Sequence, residues 1–191
     1  MSKTRLEAFS DGVIAILITI LVLELKVPHG AELESLRPLL PVFLTYVLSF
    51  VYLGIYWNNH HHMLHLADGI NGRILWANLH LLFWLSLVPF TTRWMSESHL
   101  APLPTAAYGV VLLMAAIAYT ILALAIVRHE GPTSKLAAAM GRDVKGKISL
   151  GAYLAAVPLA FVNPWIAVAM YALVAGIWLI PDPRIESQLE R

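Results

Sequence analysis

The chemistry in this chain is concentrated near its start and in a run of histidines. Arg5, Ser10 and Asp11 precede or interrupt a long apolar stretch that reaches Val27 without Gly or Pro after Gly12. Thr4 and Glu7 have the T-x-x-E spacing of a capping box, which predicts a helix start ahead of the apolar run and places Ser10 and Asp11 inside the helix. At about 100° per residue, Gly12, Ile16, Ile20, Leu23 and Val27 share one stripe, with Thr19 at its edge. Two readings of that stripe stay open. It is a packing seam against a neighbouring helix, or several copies of it surround a narrow neck. In the second reading the apolar rings stop ions by dewetting, and a ring of Thr19 hydroxyls replaces part of an ion's hydration shell. A threonine in a membrane helix also commonly bonds the carbonyl of its own preceding turn.

Ser10 and Asp11 project away from the stripe. An ionisable group inside an apolar span normally faces a polar partner, so Asp11 is expected to clamp helices together rather than line a pathway. Its candidate partners are Asn59, His60, His61, Asn78 and His80, with Arg5 able to join them. The run His60, His61, His62 and His65 offers two further chemistries. His61 and His65 have the i, i+4 spacing of a zinc pair but lack further ligands beyond Asp68. His61 or His65 with His80 would suit the two axial positions of a haem. No metal or cofactor is expected. There is no His-Glu-x-x-His, no serine elbow and no buried carboxylate pair, so an enzyme is not expected.

The elements that must position these residues follow from composition. Of 191 residues, 59% are hydrophobic and 13% charged, half the charged fraction of a soluble domain. A membrane span uses about 20 mostly apolar residues. The apolar segments predict six spans in one transmembrane domain covering residues 1–191, at approximately 5–27, 39–62, 73–94, 104–128, 146–162 and 164–181. Asn163-Pro164 makes the last two a hairpin, Gly131-Pro132-Thr133-Ser134 marks a loop before a short surface helix within 135–147, and Pro181 and Pro183 end the last span. Asp11 inside the run, and Glu24 and Lys26 where a small-residue cleavage site would stand, argue that the first segment is a retained helix rather than a signal peptide.

Counting basic residues on alternate sides puts Lys3, Arg5, Arg73, Arg128, Lys135, Arg142, Lys145, Lys147, Arg184 and Arg191 inside, with Lys26, Arg37 and Arg93 outside. Both termini are therefore expected in the cytoplasm, the chain being multi-pass in the plasma membrane. Tryptophans 57, 76, 94, 165 and 178 fall near span ends, and Trp84 falls mid-span in a packing position. The net charge of +1, without a dense basic patch, speaks against nucleic acid as a partner. There is no cysteine, hence no disulfide or catalytic thiol. The Ala8-Phe9-Ser10-Asp11-Gly12 string has no second copy, so symmetry around a pathway must come from identical subunits.

Arg5 followed by Phe9-Ser10-Asp11-Gly12 and the apolar run resembles the first-helix signature of the transmembrane-protein-175 family of potassium channels. Tyr56-Trp57 with its histidines, and the Asn78 segment ending in Pro89-Phe90, are similar to the second and third helices of its prokaryotic members. The resemblance implies an all-α membrane protein of six helices per subunit, assembled as a homotetramer with the first helices lining a central pore. It implies passive, modestly potassium-selective conduction, with Ile16, Ile20 and Leu23 as the hydrophobic gate and constriction and Thr19 as the selectivity residue. It also implies a polar network of Arg5, Phe9, Ser10 and Asp11 with Asn78 and one of His60, His61 and His62, of which His61 is the position taken here. A proton- or cation-coupled secondary transporter and a haem-binding membrane protein are the alternatives.

Overall fold

The computed structural model describes residues 2–140 and 143–179, which are helical apart from short connections. The expected sites of Arg142, Pro181, Pro183, Arg184 and Arg191 lie outside the described residues. Helix α1 spans Lys3–Leu23. Its N-cap is Ser2, whose side chain makes no capping bond, so the expected Thr4–Glu7 box does not form. Glu7 instead faces Lys3 at 4.0 Å. The helix stops at Leu23 rather than Val27, and the amide of Glu24 bonds back to the carbonyls of Leu21 and Val22. Pro28 disfavours helical geometry in the residue before it, which removes Val27 from the stripe.

A 3₁₀ turn at Leu33–Leu39 leads into α2, Leu40–Leu66. The expected third span is two helices, α3 at Gly72–Ser86 and α4 at Val88–Glu97, separated at Leu87. Pro89 accounts for the break, since it has no N–H to give and its ring crowds the carbonyl of Leu85. Asn71 caps α3 by accepting the Ile74 amide at 3.0 Å. Helix α5, Pro102–Glu130, ends on Gly131, whose φ of 95° is open to glycine at low cost. A short α6, Lys135–Met140, precedes the pair α7, Val144–Val162, and α8, Pro164–Leu179. Asp143 caps α7 through the Gly146 amide at 2.8 Å, and the turn between the pair is held by the Asn163 side chain accepting the Trp165 amide at 3.0 Å.

Among the described residues, four stretches are long and apolar enough to cross a membrane: Lys3–Leu23, Leu33–Leu66, Gly72–Glu97 and Pro102–Glu130. The chain is a multi-pass, all-helical membrane protein. Helix α5 is its axis, packing on α3, α4, α7 and α8. Small residues make that close approach feasible, as is usual between membrane helices. Ala115, Ala118 and Ala123 of α5, Ala156 and Ala160 of α7, and Ala167 and Ala175 of α8 are all buried. At Gly109 the Tyr171 hydroxyl occupies the space where a Cβ would stand.

Polar groups within this core are matched. Ser49 shares hydrogen bonds with Thr92 at 2.7 Å and Tyr108 at 3.0 Å. Tyr52 donates to the Tyr171 carbonyl at 2.7 Å, and Tyr171 donates to the Thr105 carbonyl at 3.1 Å. Such pairing is required where water is absent. By contrast α1 packs mainly on α2, α3 and α4 and stands at the margin of the bundle. Its start is tied to the far end of α2 by Lys3, which donates to the carbonyls of His65 at 3.0 Å and Ala67 at 2.8 Å. A lysine there also complements the negative C-terminal end of the α2 dipole.

Candidate functional site

The rotation of α1 decides what its residues can do. Leu6, Ser10, Ile14, Leu17 and Leu21 recur every three or four positions and are buried against the bundle. The opposite face is bare: Ile16 is 59% exposed, Ile20 36% and Leu23 80%. Gly12, Thr19, Phe9 and Arg5 are exposed as well. The stripe is therefore not a packing seam within the chain among the described residues. Thr19 donates its hydroxyl to the Ile16 carbonyl at 2.8 Å, as a threonine bonded to its own helix does. With the proton so committed, its oxygen lone pairs remain to meet a cation.

A buried polar string fixes that rotation. Ser10 donates to the Leu6 carbonyl at 2.9 Å and accepts from the Asn78 amide at 2.9 Å. The Asn78 carbonyl oxygen in turn accepts from Nε2–H of His60 at 2.6 Å. All three side chains are 0–1% exposed, and they join α1, α3 and α2. The histidine in contact with Asn78 is thus His60, not His61. Three consecutive histidines point about 100° apart, so only one can face the bundle.

Asp11 lies at the edge of this string and accepts from the Trp57 indole at 3.0 Å. Trp57 was expected only as an interfacial ring. The available signal was its donor-only N–H, near the inner end of α2 and opposite a carboxylate that lacked an assigned donor. His61 is exposed and stacks on Trp57, with centroids 6.1 Å apart, and on His65 at 6.3 Å. Arg5 is exposed and forms no ion pair or side-chain hydrogen bond among the described residues. The structure therefore joins Ser10, Asn78 and His60, joins Asp11 to Trp57, and leaves Arg5 and Phe9 on the open side of α1.

The histidines do not assemble further. No group of three or more His, Cys, Asp or Glu side chains converges among the described residues. His80 accepts the Trp84 indole N–H on Nε2 at 2.9 Å, which commits the nitrogen that an axial ligand would use. Trp84 also packs edge-on against Phe83, with centroids 5.3 Å apart.

An apolar stripe with one hydroxyl, turned outward on a marginal helix, has no use inside a single subunit. Comparison with known proteins gives it a context. The family model described as endosomal/lysosomal potassium channel TMEM175 matches residues 5–89. A potassium channel of a Chryseobacterium species is 57% identical over 190 residues, covering 100% of this chain and 99% of that one. The chain belongs to the TMEM175 family of potassium channels. A crystal structure of a lysosomal potassium-selective channel TMEM175 homolog from Chamaesiphon minutus superposes with a TM-score of 0.80 at 31% identity, covering 93% of this chain and 96% of that one. The human endosomal/lysosomal proton channel TMEM175 is 36% identical over 96 residues, 44% of this chain and 19% of that protein. The family is one of channels rather than enzymes.

The string makes an energetic prediction. Asn78→Ala strands the His60 donor and one Ser10 acceptor in the dry interior and should cost about 3 kcal/mol, seen as a lower midpoint of thermal unfolding in detergent. Trp57→Phe removes one exposed bond and should cost less than about 1 kcal/mol in the same measurement.

Proposed function

We propose that this protein is a homotetrameric potassium channel in which the α1 helices of four subunits surround a central pore. The observation that carries the reading is the bare face of α1: the residues it exposes are the ones whose chemistry suits an ion neck, while its other face is locked into the bundle. Six helices per subunit cross the membrane in this reading, with α3 and α4 as one broken span and α7 and α8 as a short hairpin. α8 has 16 residues, about 24 Å of helix, so the bilayer must thin or its ends must extend to accommodate it. Both termini lie in the cytoplasm of a cell with this protein in its plasma membrane, following the excess of Lys and Arg on that side.

Ions pass without a counter-substrate. Ile16, Ile20 and Leu23 form successive apolar rings, and Thr19 supplies the only hydroxyl ring beside them. Potassium sheds hydration water more readily than sodium, so partial dehydration at this neck favours potassium, and the preference is modest because no carbonyl cage completes the coordination. Arg5 and Phe9, on the open side of α1 at the inner end, meet the adjacent subunit in this assembly. Asp11, bonded to Trp57, belongs to the framework rather than to the conduction path.

Single-channel recording of purified protein in planar bilayers, with potassium and sodium on opposite sides, tests this. Ile16→Asn wets the neck, and the potassium conductance should rise several-fold; an unchanged conductance contradicts a neck at this position. In a separate reversal-potential measurement, Thr19→Val should move the potassium-to-sodium permeability ratio toward unity while leaving the tetramer intact.

A further inference from the structure

The end of α1 opposite its N-terminus carries an arrangement that conduction itself does not explain. Glu24 is the C-cap of α1, and the last turn of that helix contains no basic residue. A carboxylate there adds to the partial negative charge of the helix C-terminus, an unfavourable combination. Arg93 of α4 answers it: Nη1 lies 2.9 Å from Oε2 of Glu24, and Nε lies 3.3 Å from Oε1 of Glu97. Lys26 lies 3.3 Å from the same Glu97 oxygen. Two carboxylates and two cations thus form one chain, Glu24–Arg93–Glu97–Lys26, whose charges cancel. The group borders a surface cavity that also touches Leu39, Val42, Ser96 and His99.

Arg93 is the hub, since it pairs with both carboxylates and so links the end of α1 to α4. The separation of α4 from α3 at Leu87 gives this segment its own axis beside the outer end of α1. Arg93 is 52% exposed and Glu24 29%. Pairs so open to solvent contribute little to stability, so substitution leaves the fold in place and acts on the local field.

We propose that Arg93 is a charge-setting residue of the channel mouth: by pairing with Glu24 it cancels the acidic ring that four Glu24 side chains would otherwise present to entering cations. This rests on the tetrameric pore described above. Glu24 lies one residue beyond Leu23, so each subunit brings one such pair to the mouth. The field of an unmasked carboxylate reaches about 30 Å at 0.01 M ionic strength and about 3 Å at 1 M, which separates an effect of charge from one of shape.

The test is potassium conductance of Arg93→Gln, Glu24→Gln and the double variant against the unmodified channel, in about 10 mM and about 1 M potassium chloride. Arg93→Gln leaves a net negative group and should raise conductance about twofold at low salt. Glu24→Gln leaves a net positive one and should lower it by a similar factor, the double variant should return to the unmodified value, and all four should converge at 1 M. Shifts of the single variants in the same direction, or shifts that persist at 1 M, overturn the proposal while leaving the pore reading intact. Absence of potassium current in the unmodified channel overturns the pore reading and this proposal with it.

Discussion

The hydrogen-bonded string Ser10–Asn78–His60 is the constraint on which the rest of this structure turns. Inside an apolar bundle each of these groups is costly unless matched, and here each is matched by the next, from the Leu6 carbonyl to the His60 ring. The string admits one rotation of α1 about its axis. A turn of about 100° either way would carry Ser10 out of reach and leave Asn78 and His60 unpaired. Apolar packing alone could not choose so sharply, because α1 is apolar almost all round and a Leu or Ile serves equally well toward lipid or toward another helix.

In the proposed pore, everything that bears on conduction follows from that rotation. With Ser10 turned inward, Ile16, Thr19, Ile20 and Leu23 are turned out, on a helix that sits at the edge of its own bundle. The remaining elements serve as a frame: α5 with its small residues draws α7 and α8 close, the tyrosine hydroxyls of the core bond to backbone carbonyls, to Ser49 and to one another, and Lys3 ties the start of α1 to α2. A rigid frame around a marginal helix suits the proposed pore, in which partial dehydration makes the diameter of the neck matter more than any single ligand.

Much of this was legible in the sequence because periodicity is a strong signal in long helices. The 16, 20, 23 spacing marked the stripe, Asn-Pro marked the last hairpin, and the arginine and Phe-Ser-Asp string marked the family. Rotation about a helix axis was far less legible. Helix α2 has no clear apolar face, so nothing in the sequence distinguished His60 from His61 as the neighbour of Asn78. Trp57 was read from its membrane depth, which concealed its role as the donor to Asp11. The break at Leu87 had a signal in Pro89, but the apolar run continues through it. The loss of Val27 from α1 follows from Pro28, which was visible but was outweighed by the length of the hydrophobic stretch.

The central claim is that the buried string aims one face of α1 at an aqueous path. The chain contains no cysteine, so single cysteines can be introduced without background. Potassium currents of Ile20→Cys and of Leu21→Cys, recorded before and after a small cationic thiol reagent, compare adjacent positions about 100° apart on one helix, one exposed and one buried. The account predicts that the reagent blocks current through Ile20→Cys and leaves Leu21→Cys unchanged. Block at Leu21 without block at Ile20, or equal reactivity at both, would contradict it.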